Sequence, residues 1–304
     1  MIKSLIILLV GFVCLIKGAD ILVEGSSSLA RRFKIPPMVI GLTVVAMGTS
    51  LPELSVSFTS ALAGQSDMSI ANAIGSNIFN VLVILGVCSS FFKLNFEKET
   101  LGDLIILILA TVSLLLLSYL GNSLVLVDGL LLLLLFGLFL YRTIKHAKGE
   151  DSSIPPLPLF KTLVFLVLGA MAIIWGGTLV VDSASVIARI LGMSENLIGL
   201  TVVAMGTSLP ELVTSVVATR KGELDIAVGN VVGSNIFNIL FVLGLSSLFN
   251  ALTISTVTLI DVTFSLLVTL CLTFIAKKYN CLNKKEGLSL VVLYIVYIIY
   301  TIIR

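Results

Sequence analysis

Glu53 and Glu211 are carboxylates set in long apolar runs, each one residue after a proline. An ionised carboxylate in hydrocarbon is costly unless it is partnered or stands on an ion path, so both read as functional. The runs around them are nearly one text: Ile40–Leu54 and Ile198–Leu212 agree at all fifteen positions, 158 residues apart. Thr49 and Ser50 precede the first glutamate, and Thr207 and Ser208 the second, adding hydroxyl oxygens. Pro52 and Pro210 have no amide hydrogen, and each ring crowds the carbonyl one turn back, so a helix breaks or kinks there. The carbonyl of Gly48 then loses its partner. At membrane depth such groups persist only against protein or a water-filled cavity. Ser50 and Glu53, three apart, are expected to share a helix face.

A second pattern, Gly75-Ser-Asn-Ile-Phe-Asn80, returns as Gly233-Ser-Asn-Ile-Phe-Asn238. Ser76 with Asn80, and Ser234 with Asn238, are four apart and lie on one face of their helices. Asn77 and Asn235 point elsewhere, with the broken neighbouring helix as their expected hydrogen-bond partner. The set is all oxygen, with no thiolate or imidazole near it, which suits hard cations rather than transition metals. Two ionised glutamates offer a charge that one Ca²⁺ or two Na⁺ would neutralise. Competition of the two ions for one pair of carboxylates is itself a coupling mechanism.

The elements that position these groups are membrane spans. Of the 304 residues 58% are hydrophobic and 12% charged, about half the charged share of a soluble domain. Runs of eighteen or more apolar residues recur, each long enough to cross a bilayer. Ten spans are predicted near 4–30, 37–63, 69–91, 101–119, 124–144, 159–188, 195–219, 226–249, 254–276 and 286–303. The first is a span and no cleaved signal peptide, because it has a counterpart 158 residues on. Cys14, Cys88, Cys271 and Cys281 have no pairing or ligand spacing and read as small buried residues. His146 stands alone in a polar connector. Asp103 and Asp261 read as helix-end residues. Glu24 and Asp182 divide evenly between a structural place and the lining of an ion access path.

Between Val39–Gly86 and Leu197–Gly244, 28 of 48 ungapped positions are identical. The chain is therefore a duplicated five-span unit, with halves at 1–148 and 159–304 and a polar cytoplasmic linker at 149–158. Five crossings leave the chain on the opposite side, so the second half enters upside down. The expected fold is an all-α polytopic membrane protein of ten transmembrane helices in two inverted five-helix repeats. That plan places substrate near mid-membrane, where the halves meet. With connectors on alternate sides, fifteen of the nineteen basic residues collect on one side, which the positive-inside rule makes cytoplasmic. Both termini then face outward. Orientation accounts for the basic clusters, and no nucleic-acid partner is implied.

At the Gly-Thr-Ser-Leu-Pro-Glu and Gly-Ser-Asn-Ile-Phe-Asn signatures, present in both halves, the chain resembles the cation/Ca²⁺ exchanger superfamily. Within it, the resemblance is to the prokaryotic type of Na⁺/Ca²⁺ exchanger, and it covers essentially all ten spans. It implies Ca²⁺ and Na⁺ sites with Glu53 and Glu211 as ligands, helped by Thr49, Ser50, Thr207 and Ser208. The carbonyls of Ala46 and Ala204, with Ser76 and Ser234, would complete the Na⁺ sites, and Asn80 and Asn238 would tune them. The first and sixth spans would slide as a gating bundle. K⁺-dependent members usually carry Asp where this chain has Asn238, and H⁺/Ca²⁺ exchangers typically have Gly-Asn where it has Gly-Thr-Ser. The long cytoplasmic loop of animal members is absent here.

The expected activity is antiport of Ca²⁺ against Na⁺ by alternating access in the plasma membrane. Transported ions are its partners, with the lipid bilayer around it; no resident cofactor and no obligatory protein partner is evident. The alternatives are an H⁺-coupled or K⁺-dependent antiporter of the same fold, a passive cation channel, and an intramembrane enzyme. The last has no nucleophile–base pair or metal-ligand set to support it.

Overall fold

The computed structural model describes residues 1–96, 98–145, 147, 154–193, 198, 202 and 204–303. His146, residues 149–153 of the linker and most of 194–203 at the start of the seventh predicted span lie outside them. Helix α1 covers Ile2–Phe33. The second span is broken into α2 (Pro37–Ile40), a wide π turn at Gly41–Val45, α3 (Ala46–Thr49) and α4 (Leu51–Leu62). Then come α5 (Ser66–Phe79), a π turn at Asn80–Ile84, and α6 (Leu85–Phe91). Strand β1 (Leu94–Asn95) leads to α7 (Lys98–Gly121), and β2 (Ser123–Leu124) to α8 (Leu126–Lys145). The second half runs α9 (Leu159–Ile190), α10 (Ala204–Thr207), α11 (Leu209–Arg220) and α12 (Leu224–Ile236). A π turn at Phe237–Leu243, α13 (Gly244–Phe249), β3 (Leu252–Thr253), α14 (Thr256–Tyr279), β4 (Cys281–Leu282) and α15 (Lys284–Ile303) complete it. Among the described residues eight helices are long and apolar enough to span a bilayer, and nine with the broken second span counted as one.

The duplication is written in the turns as well as the motifs. Among the described residues every positive-φ position has a partner 158 residues away: Lys34 (51°) with Gly192 (86°), Gly64 (74°) with Gly222 (80°), and Asn122 (50°) with Asn280 (53°). Left-handed backbone ends a helix by letting the next amides reach back to its last carbonyls. Lys34 does so by donating to Ala30 and Arg31.

Close packing divides the chain into two units that each draw on both sequence halves. The first is Met1–Pro52 with Lys148–Asn230. Its centre is α1 against α9, which approach through glycines. A Cβ at Gly18 would lie 2.9 Å from the Ala172 Cβ, and one at Gly169 2.7 Å from the Leu22 amide nitrogen. Gly11 meets Gly176 in the same way, so each glycine pair repeats the other with the halves exchanged. Small residues let helix backbones close up where lipid offers no hydrophobic drive to association. Leu15, Leu22, Val23, Ile173 and Val180 fill the buried seam, joined by Ile40, Val45 and Ile226. Ser28 Oγ and Thr162 Oγ1 share a hydrogen bond of 2.8 Å across it. On the outside of this unit Glu24 is half-buried and Asp182 exposed.

The second unit is Glu53–Ala147 with Val231–Arg304. Here β1 pairs antiparallel with β4 (Leu94 opposite Leu282), and β2 with β3 (Leu124 opposite Leu252). One pairing again becomes the other when the halves are exchanged. A Cβ on Gly86 would meet the Gly287 carbonyl, and one on Gly129 the Gly244 carbonyl. Asp103 and Asp261 have structural partners: Arg142 Nη1 lies 3.1 Å from Asp103 Oδ1, and Tyr297 Oη donates to Asp261 Oδ1 at 3.0 Å. Of the cysteines, Cys88 and Cys281 are buried as expected, Cys14 is half-buried, and Cys271 is exposed on α14.

Candidate cation site

Each Pro-Glu motif breaks its span one residue before the helix that carries the glutamate. Ser50 (φ −86°, ψ 11°) and Ser208 (φ −89°, ψ 5°) leave α-helical geometry at matched positions. That is the sparsely allowed bridge region, where many active-site residues sit. Glu53 and Glu211 fall in the first turns of α4 and α11. Helix N-termini present unsatisfied amide hydrogens and a partial positive charge, and both carboxylates stand beside such ends. Both are buried, Glu53 at 0% exposure and Glu211 at 1%.

In the first unit Ser50 Oγ donates to Glu211 Oε1 at 2.7 Å. A hydroxyl on a buried carboxylate is among the stronger hydrogen bonds a protein makes. This corrects the expectation that Ser50 shares a helix face with Glu53. The break takes Ser50 out of the helix, so three-residue spacing no longer sets its direction. Thr49 Oγ1 lies within reach of Asn230 Oδ1 at 3.1 Å and Ala46 O at 3.3 Å, and its single hydrogen serves one at a time. Ala46 O also receives the Ser50 amide at 3.0 Å. Ala46, Thr49, Thr207 and Ser208 are all buried. Ala204 opens α10.

In the second unit Ser76 Oγ donates to Glu53 Oε1 at 3.3 Å. Ser234, Asn80 and Asn238 are each 0% exposed, and Asn80 and Asn238 stand in the π turns that follow the second motif. A π turn inserts an extra residue into the helix and recurs at functional sites.

Two asparagines absent from the predicted set hold the broken helices in place. Asn72 Nδ2 donates to Glu53 O at 3.2 Å and to Ser57 Oγ at 2.9 Å. Asn230 Nδ2 does the same to Glu211 O at 3.4 Å and Ser215 Oγ at 3.0 Å. Glu53, Ser57 and Asn72 are the 158-residue counterparts of Glu211, Ser215 and Asn230. That signal was available: the Ser57 and Asn72 identities lie between the two motifs, in a stretch where most positions differ. Asn77 and Asn235 were expected to bond to the broken helices, and it is Asn72 and Asn230 that do. Asn77 and Asn235 bond instead to each other's backbone, at 3.0 and 3.1 Å.

A serine hydroxyl meets each glutamate carboxylate, and the buried groups nearby that the sequence singles out offer oxygen. Among the described residues no three His, Cys, Asp or Glu side chains gather. Such oxygen sets are ligands for hard cations.

Buried carboxylates at broken spans, set among apolar membrane-length helices, define a multi-pass membrane protein with oxygen groups suited to hard cations. The sodium/calcium exchanger protein family matches residues 3–145 and 161–303, and the chain belongs to it, which makes it a cation/Ca²⁺ antiporter. It is 44% identical over 263 residues to the putative antiporter CaxA of Alkalimonas amylolytica, covering 82% of this chain and 81% of that one. It is 32% identical over 342 residues to the sodium/calcium exchanger MaX1 of Methanosarcina acetivorans, covering 97% of each. Among solved structures, the sodium-calcium exchanger NCX_Mj matches with a TM-score of 0.88 at 33% identity, covering 98% of both chains.

Proposed function

We propose that this chain exchanges Ca²⁺ for Na⁺ across the plasma membrane by alternating access, with inward Na⁺ flow driving Ca²⁺ out. Glu53 and Glu211 are the charged ligands of the transported ions. Thr49, Ser50, Thr207, Ser208, Ser76, Ser234, Asn80, Asn238 and the carbonyls of Ala46 and Ala204 are the neutral ones. The observation that carries the reading is the duplicated carboxylate at a broken helix, fully buried and met by a serine hydroxyl in each unit. A fixed charge there is costly unless a mobile cation completes it. Two such charges match one Ca²⁺ or two Na⁺, which makes the two ions alternatives. Ten spans in inverted repeats, with the linker inside and both termini outside, complete the proposal. The exchanged-half contacts of α1 with α9 and of the strand pairs support a two-fold relation between repeats. The glycine-lined seam between α1 and α9 suits helices that slide.

Vesicles containing the purified protein test the coupling. An outward Na⁺ gradient is expected to drive ⁴⁵Ca²⁺ uptake against its own gradient, with no requirement for K⁺. Uptake driven by an imposed pH gradient with Na⁺ inert would assign H⁺ coupling instead. Uptake that never runs uphill would make the protein a channel.

A further inference from the structure

Asn77 and Asn235 take no part in the ion chemistry proposed above, yet both are buried at 1% exposure. They lie in the second unit on α5 and α12, and they form a closed brace. Asn77 Nδ2 donates to Asn235 O at 3.0 Å, and Asn235 Nδ2 donates to Asn77 O at 3.1 Å. A backbone carbonyl only accepts, so each side chain must turn its nitrogen toward the opposite backbone. The amide oxygens of the brace then face away from it. Asn235 Oδ1 receives Asn80 Nδ2 at 2.9 Å, and Asn77 Oδ1 receives Asn238 Nδ2 at 3.1 Å.

The orientation passes one step further by the same rule. An amide oxygen also only accepts, so Asn80 and Asn238 must present nitrogen to the brace and oxygen to the other side. Those two oxygens, Asn80 Oδ1 and Asn238 Oδ1, are buried and have no hydrogen-bond partner among the described residues. Buried polar atoms are nearly always satisfied, so an orphan at each of two repeat-related positions points to a ligand. The ligand must supply positive charge or a donor, and a hard cation fits an amide oxygen.

We infer that Asn77 and Asn235 are positioning residues whose brace locks the Asn80 and Asn238 amides with oxygen, rather than NH₂, toward the transported cation. The last torsion of an asparagine is broad and roughly two-fold, so an unbraced amide turns over readily. Turned over, it offers a donor that repels Na⁺ and Ca²⁺ alike. The brace therefore sets cation affinity from a distance without touching the ion. This rests on the antiport reading given above.

A double-mutant cycle in reconstituted vesicles separates positioning from mere packing. Half-saturation for Ca²⁺ and the maximal rate are measured for the unaltered chain, Asn77→Ala, Asn238→Ala and the pair. Asn77→Ala is expected to raise half-saturation about tenfold while the maximal rate changes less, and to add under about twofold in the Asn238→Ala background. Asn235→Ala with Asn80→Ala forms the mirror cycle, with the same expectation. Effects that multiply fully in both cycles would overturn the brace as an orienting device. A measurement on the unaltered protein stands beside them: with ¹³Cγ-labelled asparagine, Ca²⁺ titration should move the Asn80 and Asn238 signals and leave Asn77 and Asn235 nearly fixed. Unmoved Asn80 and Asn238 signals, in protein that exchanges Ca²⁺, would sink the inference. An unaltered chain with no cation-driven uptake would instead reject the antiport reading.

Discussion

The two glutamates and the two asparagines that clamp their helices do different work, and substitution should separate them. Glu53→Gln or Glu211→Gln keeps size and removes charge. Each is expected to cut Na⁺-driven ⁴⁵Ca²⁺ uptake more than ~100-fold, as loss of about 2.8 kcal/mol of charged interaction in a desolvated site implies. The variants should still elute as folded protein, and near-normal uptake by either would contradict a ligand role. Asn230→Ala removes the amide that ties α12 to the Glu211 carbonyl and Ser215. It is expected to lower stability by roughly 1–3 kcal/mol, read from thermal unfolding in detergent, because the buried hydrogen bonds with Ser215 Oγ and Thr49 Oγ1 are lost. The sequence made the glutamates, serines and motif asparagines legible, since polar atoms in apolar runs announce themselves. The partner of Ser50 was not legible: spacing assumed a continuous helix, and the break aims the hydroxyl at Glu211.

The repeated turns make one half of the chain a control for the other. Lys34 and Gly192 both hold left-handed backbone, and a Cβ at Gly192 meets nothing within 4 Å among the described residues. Gly192→Lys is therefore expected to cost only about 1–2 kcal/mol, the left-handed penalty alone, measured as a small fall in unfolding temperature. Gly18→Leu is a different case. Its Cβ would press on the Ala172 side chain and the Ile173 backbone at 2.9 Å. Overpacking of that kind costs typically about 1–3 kcal/mol, and here it also blocks the seam proposed to slide. Exchange should slow by more than the fall in stability accounts for, and an unchanged rate would argue against sliding. Periodicity and length placed the long helices to within a few residues. The π turns at Asn80–Ile84 and Phe237–Leu243 left no mark in the sequence pattern, because one extra residue per turn barely disturbs an apolar run.

For the whole molecule, the proposed inverted arrangement predicts that repeat-related loops open on opposite sides of the membrane. In a background with the four cysteines replaced, Gly121→Cys should react with an impermeant maleimide from outside intact cells, and its counterpart Tyr279→Cys only after permeabilisation. Labelling of both from one side would reject the topology. The sequence by itself determined that this is a duplicated, multi-span chain with paired carboxylates, because composition, length and repetition are local properties of the text. Only the tertiary structure decided how the chain is divided for packing. Its compact units each mix segments from both repeats, since a helix packs against whatever complementary surface folding brings to it, whatever its place in the duplication. The same holds for the asparagine brace: four amides choose their orientations collectively from two backbone carbonyls, and that choice exists only once α5 and α12 lie side by side.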